Sequence, residues 1–132
     1  MNNIIYYTNK LKKKANSNIC SNQSLMALWV TIYMSIMGNK GLKDACSLSY
    51  SGAHYLAQQL VATGKCAMAY DKPFFNEFAV KTTVPAQQVL EALLANGILG
   101  GVRIADDTLL VCVTEQRSKA EMDKFVEIVS NI

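Results

Sequence analysis

Between Lys14 and Lys40 the chain carries no charged side chain, and this gap of 25 residues limits the possible folds more than any other feature. Its first part, Ala15–Ser24, is mostly polar, and the apolar run is Leu25–Met37, interrupted by Thr31 and Ser35. A helix that crosses a bilayer needs about 20 apolar residues, and a run of roughly 10–14 is more often a buried helix. Gly38-Asn39-Lys40 is a poor cleavage site, so a secretory signal is not expected either. Leu25, Leu28, Trp29, Ile32 and Ile36 fall on one helical face, and Met26, Val30, Tyr33 and Met37 on another. A helix that is apolar almost all round has to be covered on most sides.

The rest of the chain reads as alternating periods. Ser21 or Asn22 can cap the apolar helix and Gly38 can stop it. Asn39 can cap a second helix, about Lys40–Thr63. Leu42, Ala45, Leu48, Ser49, Gly52, Leu56 and Leu60 form its stripe, and Gly64 is the stop. Lys65–Tyr70 and Phe75–Thr82 read as strands around the turn Asp71-Lys72-Pro73. In the second strand Asn76, Phe78 and Val80 share one face, and Glu77, Ala79 and Lys81 the other. Pro85 opens a third helix with Val89, Leu90, Leu93 and Leu94 inward, closed by Asn96-Gly97. Ile98–Ile104 and Thr108–Thr114 are two more strands around Ala105-Asp106-Asp107. Ser118 and Glu121 have the spacing of a capping box, opening a last helix with Met122, Phe125, Val126 and Val129 inward.

The expected fold is therefore α+β: two N-terminal helices, then β-β-α-β-β-α with a small, mostly antiparallel sheet. The expected organisation is a basic lead-in at 1–14, linking helices at 15–63 and a small α+β domain at 64–132. A chain of 132 residues is one ordinary domain. With 51% hydrophobic and 17% charged residues, disorder is excluded for the chain as a whole. The net charge of +3 comes from Lys10, Lys12, Lys13 and Lys14. Residues 15–132 hold nine basic and ten acidic groups. A nearly neutral body argues against nucleic-acid binding.

Few residues carry chemistry. Cys20, Cys46, Cys66 and Cys112 lie 26, 20 and 46 residues apart, with no CxxC pair and a single histidine in the chain, so no metal site is expected. The plain reading is reduced, mostly buried thiols in a cytoplasmic protein. His54 reads as a helix histidine held by a hydrogen bond, and Asp106-Asp107 as turn residues. Gly100-Gly101 lies inside a strand pattern and opens no helix. It reads as a bulge or a close backbone approach rather than a phosphate loop. Phe74-Phe75-Asn76-Glu77-Phe78 reads as core plus strand edge. No catalytic set can be assembled from these residues.

Four segments in order resemble one family: Ala15-Asn16-Ser17-Asn18-Ile19-Cys20-Ser21-Asn22-Gln23, Pro73-Phe74-Phe75-Asn76-Glu77-Phe78, Gly97-Ile98-Leu99-Gly100-Gly101, and Leu109-Leu110-Val111-Cys112-Val113-Thr114-Glu115. Together they are similar to the C-terminal part of glycine dehydrogenase (decarboxylating), the P-protein of the glycine cleavage system, in the form of subunit 1 of the two-subunit enzyme. The resemblance runs from about Lys12 to the end. It implies the small domain of a pyridoxal-phosphate enzyme with the aspartate-aminotransferase type of fold, the cofactor being bound mainly by parts not found here. It also implies the partners: the remainder of subunit 1, subunit 2 and the lipoyl H-protein, with no nucleic acid and no membrane. The implied activity is glycine decarboxylation with transfer of the aminomethyl group, and this chain alone is expected to be inactive. Ser17, Asn18 and Asn22, where the polar linker meets the helix start, are the candidates near the active site, because free helix N–H groups favour anions. The competing reading is a standalone α+β interaction or regulatory module.

Overall fold

The computed structural model describes residues 23–132. Its elements are α1 (Gln23–Ala62), β1 (Cys66–Met68), β2 (Glu77–Thr82), α2 (Ala86–Ala95), β3 (Val102–Ala105), β4 (Thr108–Cys112) and α3 (Lys119–Ser130). The residues assigned to the active-site neighbourhood, Ser17, Asn18 and Asn22, lie outside the described residues, as does Cys20.

α1 is two helical segments rather than one, as the glycine stop predicts. Gly38 takes φ 62° and ψ −179°, a region open almost only to glycine. The chain divides there into two units, and the second runs from Asn39 to Ile132. In the first unit Thr31 Oγ1 donates to the Ala27 carbonyl (2.8 Å) and Ser35 Oγ to the Thr31 carbonyl (2.7 Å), so both hydroxyls are satisfied by their own helix. Cover is what this segment lacks. Trp29 is 64% and Ile36 79% exposed, and Leu25, Leu28 and Ile32 are also open. Among the described residues no helix is long and apolar enough to cross a membrane.

The second unit is built on one antiparallel sheet in the order β1-β2-β4-β3. Phe78 stands opposite Val111 and Val80 opposite Leu109, so these four side chains share a face. That face receives the segment 39–62 through Ala53, Leu56, Ala57 and Leu60, α2 through Val89 and Leu93, and α3 through Phe125 and Val129. The helix previously grouped with the linker thus supplies a wall of the core. Its stripe is also rotated from the expected one: Leu48 is exposed, while Ala53 and Ala57 are buried. Small residues let the helix lie close to the sheet. A Cβ on Gly52 would already press on Val113 Cγ1 at 3.1 Å.

The local signals act as read. Ser118 Oγ accepts from the Glu121 N–H, and the Glu121 carboxylate accepts from the Ser118 N–H at 2.7 Å, completing the capping box. After α2, the Gly97 N–H donates to the Leu94 carbonyl and the Ile98 N–H to the Leu93 carbonyl. This is the double-bonded glycine stop, with Gly97 at φ 78°. Asp106 and Asp107 are turn residues whose carbonyls accept from the Ala86 and Thr82 N–H groups.

Candidate functional site

Three of the four segments that carry the family resemblance meet in this fold. Asn76, just before β2, accepts from the Val113 N–H through its carbonyl (2.9 Å), and its side-chain amide donates to Cys112 Sγ (3.5 Å). This joins Phe74–Phe78 to Leu109–Glu115. Gly97–Gly101 closes the other side. A Cβ on Gly101, at φ 115°, would run into the Leu110 carbonyl oxygen, and one on Gly100 into Leu93. Both glycines are therefore close-approach positions, as expected, and their backbone is consumed by packing.

The segments enclose a cleft of about 630 Å³ between the 97–101 loop, the end of β4 and α3. Its volume lies within the range of ordinary ligand clefts, roughly 300–1,000 Å³. Ile98, Met122 and Phe125 line it as apolar wall, with Arg117, Glu121 and Lys124 on the α3 side and Glu77 on the β2 side. Glu121 is shared by the Ser118 N–H, the Ser118 hydroxyl and Arg117 Nη1 (3.2 Å). The backbone and side chain of Ser118 hold its carboxyl below the usual range. Lys124 Nζ donates to the Asn96 carbonyl.

Beside this lies an aromatic corner. His54 sits between Tyr50 and Phe74, with ring centroids 4.1 Å away on both sides. Phe74 continues to Phe78 at 5.3 Å. His54 Nε2 donates to the Phe74 carbonyl at 3.2 Å, so the chain's single histidine pins the turn before Asn76. On the neighbouring surface the Tyr55 hydroxyl donates to Asp123 (2.5 Å), and Lys119 Nζ donates to the other oxygen (2.6 Å).

The thiols are less buried than their apolar surroundings suggested. Among the described residues only Cys66 is buried, and burial pushes its thiol up. Cys46 and Cys112 are exposed. No group of three or more acidic, histidine or cysteine side chains could hold a metal there. The cleft and its Arg117 and Lys124 wall were not foreseen. The signal available was Gly100-Gly101 directly after a helix stop, which marked tight packing beside an unfilled space.

Comparison with known proteins gives the family. Residues 10–129 match the family described as "Glycine cleavage system P-protein". The chain is 45% identical over 124 residues to the probable glycine dehydrogenase (decarboxylating) subunit 1 of Chloroherpeton thalassium, covering 92% of this chain and 28% of that protein. To the protein of the same name from Thermomicrobium roseum it is 40% identical over 122 residues, covering 88% and 27%. A solved structure, the crystal structure of glycine decarboxylase (P-protein) of the glycine cleavage system in inhibitor-bound form, superposes with a TM-score of 0.78 at 28% identity. It covers 91% of this chain and 28% of that one. The chain belongs to the glycine cleavage system P-protein family, and it spans little more than a quarter of the length of the relatives it matches.

The described residues do not fit a phosphorylated cofactor. An anion is held by free N–H groups at a helix start or a glycine loop. Here the α2 start donates to the Asp106 carbonyl, the α3 start is closed by Ser118 and Glu121, and Gly100-Gly101 is packed against Leu93 and Leu110.

Proposed function

We propose that this chain is the C-terminal small domain of subunit 1 of a glycine dehydrogenase (decarboxylating). Residues 1–14 are its lead-in, 15–63 the connection to the large domain, and 64–132 the small domain proper. In the complete cytoplasmic enzyme the activity is decarboxylation of glycine, with the aminomethyl group passed to lipoyl H-protein. Pyridoxal phosphate supplies the carbanion stabilisation for that chemistry, and it is held by parts outside residues 23–132. This chain contributes packing surface, and it is inactive alone. Ser17, Asn18 and Asn22 stand nearest the reacting groups, as anion-facing donors at the first helix.

The observation that supports this reading best is the segment 23–37. Its large apolar side chains are open on several faces, with Leu25 60%, Trp29 64% and Ile36 79% exposed. A contiguous apolar surface of that kind marks an interaction site. The remainder of subunit 1 and subunit 2 are the partners that would cover it.

The test is glycine-dependent bicarbonate exchange with H-protein present. The purified chain should show none. Adding the separately expressed remainder of subunit 1 and subunit 2 should restore it, with this chain in the complex. Exchange by the chain alone would overturn the assignment, and so would full exchange by the other components without it.

A further inference from the structure

The sheet ends in a step beside the cleft. The Val113 N–H donates to the Asn76 carbonyl and the Thr82 N–H to the Asp107 carbonyl. With Phe78 opposite Val111 and Val80 opposite Leu109, these bonds turn the backbone groups of Leu109, Val111 and Val113 toward β2. Strand alternation turns those of Thr108, Leu110 and Cys112 the other way. On that side Leu110 is met by Val102, the first residue of β3. Continued by one pair, the register would bring Gly100 opposite Cys112. The chain bends away at Gly101 instead, and no backbone hydrogen bond joins Gly100 to Cys112. Among the described residues the Cys112 N–H and C=O therefore have no backbone partner, and they open on the cleft.

We propose that this step is a strand-addition site for an extended peptide segment of another polypeptide, alternating acidic and apolar side chains. An added strand supplies the C=O and N–H that Cys112 lacks. Its side chains alternate between the two sides of the sheet. Those on the helix side meet Arg117 and Lys124. Glu121 on that wall is already committed to Ser118 and Arg117, so the wall presents unused cationic donors. Those on the other side meet Leu110 and Cys112 with Glu77 beside them, a surface that favours apolar groups and repels acids. The charges thus select an acid on one side and an apolar residue on the other.

Amide hydrogen exchange of the 132-residue chain, read by NMR, tests this without any reference to glycine chemistry. The probe is the peptide acetyl-Val-Glu-Val-Glu-Val-amide, with a second in which both Glu are Lys. In the free chain the Cys112 amide should exchange on the order of tenfold or more faster than those of Val111 and Val113, because theirs are in the ladder. The acidic peptide should slow Cys112 to its neighbours' rate, and the Lys peptide should not. Arg117→Ala should weaken the acidic peptide about three- to tenfold, the scale of a rim charge. Three results would overturn the proposal: a Cys112 amide already protected without peptide, no change on saturation with the acidic peptide, or equal protection by the Lys peptide.

Discussion

His54 and Phe74 hold each other twice: their rings stack at 4.1 Å with an 11° tilt, and His54 Nε2 donates to the Phe74 carbonyl at 3.2 Å. The two residues are twenty apart in sequence, one on the helix 39–62 and one on the loop before β2. The contact sets where Asn76 enters the sheet. His54→Ala should cost about 1–3 kcal/mol, a lost aromatic contact plus an unpaired carbonyl. His54→Phe keeps the stack and should cost less. Urea denaturation of both variants checks the order, and equal losses would show that the stack contributes nothing.

Gly101 is a backbone requirement. At φ 115° a side chain is strained, and its Cβ would meet the Leu110 carbonyl oxygen. Gly101→Ala should destabilise by about 2 kcal/mol or more. Gly97→Ala, at φ 78° with open space around it, should cost only about 1 kcal/mol. Thermal melts of the two variants measure the difference, and the reverse ranking would refute the close approach.

The capping box carries a pH signature. Glu121 is held below its ordinary range, first by the Ser118 backbone and then by the Ser118 side chain. A depressed carboxyl contributes stability that is present above its unfolded value, about 4.3, and is lost as the pH falls through the folded value. Glu121→Gln should therefore flatten the fall in stability below about pH 4.3. Glu115 and Asp123 are lowered too, the first chiefly by Gln116 and the second chiefly by Lys119, so part of the slope remains. Lys119 is raised by its hydrogen bond to Asp123, so its contribution is present below about pH 10.4 and fades as the pH rises through the folded value. Ser118→Ala should cost about 1 kcal/mol.

Thiol labelling should separate the cysteines. Cys46 and Cys112 are exposed and should react with an aromatic disulfide reagent in the native chain. Cys66, buried and with its thiol pushed up by desolvation, should react only as the chain unfolds. Native labelling of Cys66 at the rate of Cys112 would contradict the packing around β1.

Trp29 is the single tryptophan of the chain and is 64% exposed. Its emission should be that of a solvated indole in the free chain, and should shift to the blue when the rest of the enzyme is added. Ile36→Glu should weaken that assembly by about tenfold or more, since burying an unpaired carboxylate is costly. An unchanged emission spectrum on mixing would argue that the segment 23–37 is not the docking surface.

Much of the second unit was legible because its signals are local. Pro85 and Asn96-Gly97 bound α2, Ser118 and Glu121 cap α3, and Phe78 with Val80 points inward, each through bonds within a few residues. Register errors arise where spacing alone has to decide. Leu48 looked like a core position on helical periodicity, but Ala53 and Ala57 face the sheet because small side chains allow the closest approach. The cleft was invisible, since Ile98, Cys112 and Arg117 come from three separate elements.

By itself, then, the sequence determined the elements, their caps, the α+β class and the family, because hydrophobic period, glycine and proline act on neighbouring residues and the family's motifs are contiguous. Only the tertiary structure decided which strands are edges, that three motifs converge on Asn76 and Cys112, and that Cys112 faces an open step. Those outcomes depend on strand order and on where β3 leaves β4, which are set by long-range pairing and carry no mark in any single segment.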